Sequence, residues 1–285
     1  MTADTVTRFA PSPTGYLHLG HAYSALFAAQ QAEASDGHFL VRIEDIDAGR
    51  CRPAFEDAIF EDLAWLGIQW ETPARRQSEH MADYAAALER LDGRNLLYPC
   101  FCTRADIRRE IEAAGHAPHE IPAGPDGPVY PGICRSLSPT ERNERIVSGA
   151  AYAMRLDMTA AVDDAGPLTW HDRERGEQAA SPAIFGDVVL ARKDAPTSYH
   201  LAVTVDDALQ GVTLVTRGED LFEASHVHRL LQALLELDTP DYHHHELLTD
   251  SDGKRFAKRD KAATLRSMRA AGVNADDVRR DLGFT

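Results

Sequence analysis

Long hydrophobic runs are missing from this chain of 285 residues. No apolar stretch approaches the roughly 20 residues that a membrane-spanning helix needs. The N-terminal residues are polar and lack the apolar core of a secretory signal. We therefore expect a cytoplasmic protein with no membrane partner. The hydrophobic share of 44% is enough for a large core and for more than one subdomain.

Positive charge is also scarce. Lys and Arg number 30 against 45 Asp and Glu, which gives a formal net charge of −15. Non-specific nucleic-acid binding depends on neutralising phosphates with Lys and Arg, so this balance argues against it. An RNA partner held by a local basic face stays open. The basic residues available for such a face are Arg108, Arg109, Arg255, Lys258, Arg259, Lys261, Arg266 and Arg269.

Cysteine is rare as well: the chain has four, and a disulfide framework is not expected in a cytoplasmic protein. Three of them share one short stretch: Cys100, Cys102 and Cys134. Thiolates grouped in this way fit a structural zinc site, which needs four tetrahedral ligands. Chemistry alone leaves the fourth ligand open. His116 and His119 lie between the cysteines in the sequence, and histidine is a usual ligand of zinc. Three unrelated buried cysteines are the alternative, and Cys51 is expected to be an ordinary buried thiol.

The common glycine-rich phosphate loops are absent, since neither G-x-G-x-x-G nor a Walker sequence occurs. Instead, residues 8–21 read R-F-A-P-S-P-T-G-Y-L-H-L-G-H, between an apolar start and a helical pattern. A strand, a Pro/Gly loop and a helix start place backbone N–H groups and the positive helix end against phosphates. On glycine and proline alone, a turn with solvated histidines would be the favoured interpretation.

This segment resembles the HIGH motif of class I aminoacyl-tRNA synthetases, in the form of the glutamyl/glutaminyl branch. The resemblance implies a Rossmann-type α/β catalytic domain that binds ATP with Mg²⁺ and activates glutamate as its adenylate. It assigns His18 and His21 to the ATP phosphates, as catalytic and ATP-binding residues. It also implies that Gly20 lets the nucleotide approach the backbone closely.

Recognition of glutamate requires partners for two carboxylates and one ammonium group. The planar fork of arginine bonds carboxylates bidentately, and Arg8 and Arg217 both lie at predicted strand ends. Glu44 supplies the opposite charge for the ammonium, although an exposed carboxylate or a partner of Arg42 is the alternative. For Tyr199 the alternative is a core aromatic. The resemblance implies these glutamate-binding residues: Arg8, Phe9, Ala10, Pro11, Ser12, Glu44, Tyr199 and Arg217.

Residues 255–259, R-F-A-K-R, resemble the KMSKS motif of the same family. Arginine replaces the first lysine of the motif and alanine replaces the serine, while Lys258 keeps the register of the second lysine. The resemblance implies that Lys258 is catalytic and ATP-binding, because it would neutralise charge on the phosphates as pyrophosphate leaves. On its own, the run is typical of a solvated basic loop.

The sequence Y-P-G-I-C at residues 130–134 is similar to the glutamyl-queuosine branch of this family. The ligands that this similarity implies for one structural Zn²⁺ are Cys100, Cys102, Tyr130 and Cys134. His119 is the alternative to Tyr130.

Three consecutive histidines, His243–His245, suggest a second metal site at first sight. Neighbouring strand residues point to opposite faces, so the three rings cannot converge on one ion. We expect them to be strand residues near the nucleotide pocket, with His244 facing it.

Hydrophobic patterns divide the chain into two α/β blocks around an insertion. They predict strands over 39–43, 187–191, 199–205 and 214–216, and helices over 53–66, 81–91 and 225–237. The expected parts are 1–95 and 186–248 (the halves of the catalytic domain), 96–185 (the zinc-containing insertion) and 249–285 (the KMSKS-like loop and C-terminal helices). A doubly wound parallel sheet follows, with ligands at the carboxyl ends of its strands.

A complete glutamyl-tRNA synthetase continues into a helical anticodon-binding part, which we do not expect here. This shorter plan is similar to the glutamyl-queuosine tRNA(Asp) synthetases. The resemblance implies an enzyme that activates glutamate without tRNA and transfers it to queuosine at the wobble position of tRNA(Asp). We expect a monomer. An anticodon stem-loop with splayed bases is a target that a lone catalytic domain can hold. Two alternatives remain: a shortened synthetase that charges a tRNA 3′ end, and a non-catalytic RNA-binding paralogue.

Overall fold

The computed structural model describes residues 4–113, 123–248 and 263–284. The strands are β1 (Val6–Phe9), β2 (His38–Ile43), β3 (Glu71–Arg76), β4 (Leu97–Cys100), β5 (Ala123–Gly124), β6 (Gly127–Pro128), β7 (Ala153–Leu156), β8 (Thr169–Asp172), β9 (Gly176–Ala179), β10 (Val189–Ala191), β11 (Leu214–Gly218) and β12 (Asp241–His245). The helices are α1 (Leu19–Glu33), α2 (Pro53–Trp65), α3 (Met81–Gly93), α4 (Arg104–Ala113), α5 (Pro139–Val147), α6 (Met158–Ala165), α7 (Tyr199–Leu209), α8 (Ala224–Leu234), α9 (Leu265–Ala270) and α10 (Ala275–Asp281).

Parallel strand pairing confirms the predicted α/β sheet. Strands β1, β2 and β3 pair in parallel, and β11 pairs in parallel with β12, which continues to β8. The two sets lie side by side, because the Thr213 N–H donates to the Val6 carbonyl at 3.0 Å and β1 contacts β11. The chain therefore turns one way from β1 to β2 and the other way from β11 to β12. This reversal is the switch point at which ligands bind in doubly wound sheets.

The insertion is not a separate block with the predicted boundaries. Strands β8 and β9, inside residues 96–185, extend the sheet of β11 and β12. Strand β10, placed by the sequence in the second half of the catalytic domain, pairs instead with β7, and β7 pairs with β4. Pairing partners distant in sequence decide these memberships, and a hydrophobic pattern along the chain carries no record of them.

The predicted strand over 199–205 is wrong, because these residues begin helix α7. The segment is rich in β-branched and apolar residues, which favours a strand by composition. Residues 200–207 are all buried, so the helix is covered on every side and has no exposed polar face. A short run that is apolar all round does not distinguish a strand from a buried helix.

The last described residues pack back onto the first half of the sheet. The Leu265 N–H donates to the Leu17 carbonyl at 2.9 Å, and Leu265, Val278 and Phe284 join the apolar cluster formed by β1, β2, α1 and α2. The KMSKS-like residues 255–259, Lys258 included, lie outside the described residues, as do His116 and His119. Within the described ranges, no helix is both long and apolar enough to cross a membrane.

Candidate functional site

A cleft of about 500 Å³ opens at the carboxyl ends of β1, β2 and β11, where the sheet order reverses. The sequence-predicted residues that line it are Arg8, Phe9, Ala10, Pro11, Ser12, His18, Gly20, His21, Glu44, Tyr199 and Arg217. Other lining residues include Tyr23, Ser24, Thr216, Asp220 and His245. The structure thus brings every described residue predicted for glutamate or ATP into one cavity.

Two histidines cap the first turn of helix α1 at one end of this cleft. His18 is the N-cap, and its Nδ1 accepts from the Gly20 N–H at 3.1 Å. His21 reciprocates, since its Nδ1 accepts from the His18 N–H at 3.2 Å. An Nδ1 that accepts carries no proton, so each neutral ring bears its proton on Nε2. In this tautomer each ring carries an Nε2–H donor at a helix N-terminus, a position that favours anions.

Gly20 leaves room for this double cap. A Cβ built at residue 20 would lie 3.0 Å from Cε1 and 3.1 Å from Nδ1 of the His18 ring. Any larger residue would therefore crowd the His18 ring, which would have to shift by a few tenths of an ångström. The predicted close approach of a nucleotide to the backbone is a second reason for a glycine at this position.

The Arg8 guanidinium belongs to a buried network of ion pairs beneath the cleft. Its Nε and Nη2 donate to the two carboxylate oxygens of Asp207 at 2.9 and 3.3 Å, and its Nη1 donates to the Thr216 carbonyl at 3.0 Å. Arg42, fully buried, donates to the same Asp207 at 2.8 Å. Burial alone would raise the pKa of Asp207, but Arg8 and Arg42 outweigh it and lower that pKa. Asp207 is therefore ionised and shared by two arginines.

Asp206 extends this network on the next residue. Both of its oxygens are occupied: Arg75 Nε and Gln77 Nε2 donate to them at 2.8 Å each, and the Tyr84 hydroxyl lies 2.9 and 3.0 Å from the pair. We refer to Arg8, Arg42, Arg75, Asp206 and Asp207 together as the ion-pair network. Sequence reasoning assigned no role to the two aspartates. The sequence gives one signal for their role, which is that the two acidic residues stand inside an apolar run. Charged residues in such a run are buried, and buried charges are almost always paired.

Glu44 follows β2 directly, and its position is fixed because its N–H donates to the Pro11 carbonyl at 3.0 Å. Its carboxylate is 3.7 Å from Arg42, the alternative partner named from the sequence, and it lines the cleft as well. Burial raises the pKa of Glu44 to about 7, against the opposing effect of Arg42 and Arg8. The carboxylate thus becomes ionised close to neutral pH.

The Arg217 guanidinium, 6% exposed, is held by neutral partners. Its Nε donates to His244 Nε2 at 3.1 Å, Nη1 to His228 Nδ1 at 3.1 Å and Nη2 to Ser225 Oγ at 2.5 Å. Burial, and then Arg217 itself, lower the pKa of His228 well below its usual range and that of His244 to about 3. We call Ser225, His228 and His244 the histidine cradle. In the described ranges, no carboxylate lies within ion-pairing distance of Arg217.

The expectation that His244 faces the pocket is wrong. His244 is buried behind Arg217, where its Nδ1 donates to Asp172 at 2.6 Å. The next residue, His245, lines the cleft and lies 3.0 Å from the Ser24 hydroxyl. Alternation along β12 puts neighbours on opposite faces, but the sequence does not say which face meets the pocket.

Tyr199 is the first residue of α7 and lines the cleft beside the histidine cradle. Its ring meets the His228 ring edge-on, with centroids 5.6 Å apart. Burial raises the pKa of its hydroxyl, so the side chain is a neutral phenol. The alternative of a core aromatic with no access to the pocket is excluded by this position.

The three clustered cysteines converge in space, away from the cleft. Their sulfur atoms all lie within 4.8 Å of one another, with Cys102 Sγ and Cys134 Sγ 3.4 Å apart. The Tyr130 hydroxyl oxygen lies 3.4 Å from Cys100 Sγ and 3.6 Å from Cys102 Sγ. A zinc ion with Zn–S bonds of about 2.3 Å separates its sulfurs by about 3.8 Å, so these four donors fit a tetrahedral site. Cys51, by contrast, is half-buried and is not a member of this cluster.

A comparison with protein families now decides the class of protein. The model described as "tRNA synthetases class I (E and Q), catalytic domain" matches residues 4–281. The chain belongs to this family. The class I synthetase assignment makes the protein a ligase of the aminoacyl-tRNA synthetase type, and it accounts for the switch-point cleft and its histidine-capped helix.

Relatives within the class I synthetases match over nearly the whole chain. The Glutamyl-Q tRNA(Asp) synthetase of Rhodobacter capsulatus is 50% identical and covers 98% of this chain and 100% of the relative. The protein of the same name from Symbiobacterium thermophilum is 40% identical and covers 97% and 85%. Glutamate–tRNA ligase 2 of Nitrosococcus oceani is 36% identical, but only 56% of its length is matched.

Solved structures of class I synthetases share this fold. A glutamate tRNA ligase from Elizabethkingia meningosepticum, crystallised in complex with its amino acid, superposes with a TM-score of 0.74 at 30% identity. The match covers 90% of this chain and 52% of the ligase.

The basic face suggested by the sequence is only partly described. Four of its eight members, at positions 255, 258, 259 and 261, lie outside the described residues. Among the others, Arg109 pairs with Asp106, and Arg269 donates to Glu61 at 2.7 Å. Arg108 and Arg109 lie on α4, whereas Arg266 and Arg269 lie on α9, so the described members of this face belong to two separate helices of this class I synthetase.

Proposed function

We propose that the protein activates L-glutamate with ATP in the absence of tRNA, forming glutamyl-adenylate and pyrophosphate. It then transfers the glutamate to the queuosine base at the wobble position of tRNA(Asp). One observation carries the amino-acid half of this proposal: a buried arginine without a described carboxylate partner lines the same cleft as a histidine-capped helix N-terminus. The Glutamyl-Q tRNA(Asp) synthetases that match over nearly their full length support the second half.

Glutamate binding follows from the charges around the cleft. Arg217 is buried, positively charged and held by neutral groups, so a substrate carboxylate supplies its missing counter-charge. Ionised Glu44 supplies the counter-charge for the α-ammonium. Arg8 already shares Asp207, so it offers a carboxylate only the two N–H groups that Asp207 and Thr216 leave.

The opposite end of the cleft would take the ATP phosphates. The first turn of α1, with the N–H donors of its backbone and of the His18 and His21 rings, would face them, and Gly20 leaves room for the His18 ring. A substrate carboxylate oxygen forms a bond to the α-phosphorus while the bond from that phosphorus to the leaving pyrophosphate breaks. The protein contributes position and charge, which suffices for phosphoryl chemistry of this kind. Mg²⁺ bound with ATP would neutralise part of the phosphate charge, and Lys258, outside the described residues, stays a predicted partner.

The decisive experiment compares three reactions of the purified protein. Glutamate-dependent exchange of labelled pyrophosphate into ATP is expected without any tRNA. Labelled glutamate should appear on tRNA(Asp) that contains queuosine and be absent from the same tRNA lacking it. Loss of exchange in zinc-loaded protein would contradict enzymatic activity of either kind and leave the non-catalytic paralogue.

A second candidate function has one specific observation in its favour. The chain also matches glutamate–tRNA ligase 2 of Nitrosococcus oceani, at 36% identity over 277 residues. A shortened synthetase of this type would label the 3′ end of tRNA(Glu), so that tRNA belongs in the same assay. A tRNA that lacks its 3′-terminal adenosine distinguishes the sites, because it cannot be charged at the 3′ end and keeps its wobble base intact.

For the cysteine cluster, we propose one structural Zn²⁺ held by Cys100, Cys102, Cys134 and Tyr130. Wild-type protein is expected to carry about one zinc per chain, and Cys134→Ser close to none. The matched control is Cys51→Ser, which removes a thiol outside the cluster and should keep its zinc. Tyr130→Phe should lose zinc to a chelator sooner than wild type does, whereas sensitivity in His119→Ala would identify the histidine as the fourth ligand. A cytoplasmic, monomeric protein stays a prediction.

A further inference from the structure

A chain of hydrogen bonds leads from Arg217 to the hairpin of β5 and β6 in the insertion. Arg217 Nη1 lies 3.1 Å from His228 Nδ1, and His228 Nε2 lies 3.2 Å from His200 Nδ1. His200 Nε2 in turn lies 3.3 Å from an oxygen of Asp126, in the turn between β5 and β6. The chain joins the cleft to a part of the molecule that does not line it.

The two ends of this chain determine the direction of every link. A guanidinium can only donate and an ionised carboxylate can only accept. His228 must therefore accept on Nδ1 and donate from Nε2, and His200 must do the same. Both rings are then neutral Nε2–H tautomers, and all three bonds are satisfied without adding charge beside Arg217.

The burial of the members differs in an informative way. His228 is 2% exposed and His200 is 9% exposed, while the Asp126 side chain is 70% exposed. An exposed carboxylate contributes little to the core, so folding does not explain why it meets a buried histidine. The hairpin of β5 and β6 packs closely against the backbone at Ile184, since a Cβ at Gly124 would lie 2.8 Å from the Ile184 carbonyl oxygen.

Arg217 has a second support of the same kind on its other side. His244 accepts from Arg217 on Nε2 and donates from Nδ1 to Asp172, which is completely buried. In both supports, a neutral histidine faces the arginine and a carboxylate lies behind. One support ends in the core and the other ends at the surface on Asp126.

We propose that Asp126, His200 and His228 are positioning residues, which orient the Arg217 guanidinium for the substrate carboxylate through this directed chain. The inference rests on the proposed function, in which Arg217 binds a carboxylate of glutamate. The insertion then contributes to amino-acid affinity from outside the cleft. None of the three residues needs to touch substrate.

Titration calorimetry with glutamate and with ATP tests the proposal. Asp126→Ala should raise the Kd for glutamate about 2- to 10-fold, the effect of one lost hydrogen bond, and leave the Kd for ATP unchanged. Asp126→Asn keeps an acceptor oxygen and should restore most of the affinity. The matched control is Asp241→Ala, which removes an exposed carboxylate 3.5 Å from His171, a pair remote from Arg217. An unchanged glutamate Kd in Asp126→Ala would overturn the proposal.

Nitrogen-15 NMR of the histidine rings separates this inference from the proposed function. In wild-type protein, His200 and His228 should both appear as Nε2–H tautomers, and Asp126→Ala should give His200 a mixed signature. If wild type fails to bind glutamate, the proposed function fails, while the tautomers still test the chain. An Nδ1–H tautomer at either residue would contradict the chain whatever the binding data show.

Discussion

The ion-pair network and the histidine cradle treat buried arginines in opposite ways. Arg8 and Arg42 share the carboxylate of Asp207, and Arg42 also lies 3.7 Å from Glu44 and from Asp206, so carboxylates of the protein offset their charges. Arg217 is just as deeply buried, but its partners are two neutral histidines and a serine. Both arrangements supply hydrogen-bond acceptors to the guanidinium groups, but only the first supplies carboxylates.

This difference indicates which arginine is available to bind a charged ligand. An ion removed from water loses hydration energy that a nearby opposite charge can restore. The ion-pair network has that charge and acts as scaffold. The histidine cradle supplies acceptors without charge, so the full attraction of Arg217 is available to a bound carboxylate.

The largest expected effect comes from breaking the ion-pair network. Asp207→Asn leaves Arg8 and Arg42 buried without their shared carboxylate, and we expect the free energy of unfolding to fall by about 3–5 kcal/mol. Urea denaturation measures this change. The control is Asp83→Asn, a half-exposed partner of Arg75, which should cost less than about 1 kcal/mol. If the free energy of unfolding fell by similar amounts in the two variants, the prediction that the buried ion pairs contribute more than the exposed one would be wrong.

A mutation in the histidine cradle should affect ligand binding more than folding. Arg217→Gln removes an uncompensated buried charge, so its free energy of unfolding should stay within about 1 kcal/mol of wild type. Its affinity for glutamate should fall by about 30-fold or more, because a desolvated charge pair is lost. Arg229→Gln on helix α8 is the control and should bind glutamate normally. Strong destabilisation of Arg217→Gln would mean that this arginine, too, is scaffold.

The smallest effect expected is a pH dependence from Glu44, which lies next to the ion-pair network but lines the cleft. Its pKa is raised to about 7, so the carboxylate gains its charge as pH rises from about 6 to about 8. Affinity for glutamate should increase by about tenfold over this range, since only the ionised form attracts an ammonium group. Stability should change with pH in the opposite direction to affinity. The contribution of Glu44 to the free energy of unfolding is largest below its ordinary pKa and falls as pH rises towards 7.

Calorimetry at fixed ionic strength across this pH range measures the effect, and Glu44→Gln should abolish it. A flat profile in wild type would show that Glu44 does not meet the ammonium. Loss of the slope in Glu44→Gln with little change in stability would place Glu44 with Arg217 as a ligand-facing group.

Predictions from sequence succeeded where the participating residues are close together in the chain. The HIGH-like segment, residues 8–21, carries its strand, loop and helix cap in consecutive positions, and all of its predicted residues line the cleft. The cysteine grouping was likewise visible because two of its members are separated by one residue. Predictions failed for α7, whose burial on all sides hides its period, and for the face of β12, which depends on neighbouring strands.

The sequence by itself therefore determined the class of protein, the switch-point sheet and the chemical types of residue in the cleft. Only the tertiary structure decided what each charge is paired with. Asp207 lies 199 positions from Arg8 in the sequence, and His244 lies 27 positions from Arg217. A local sequence pattern therefore predicts neither contact. Electrostatic energy depends on distance and burial in space, and the order of residues along a chain contains neither.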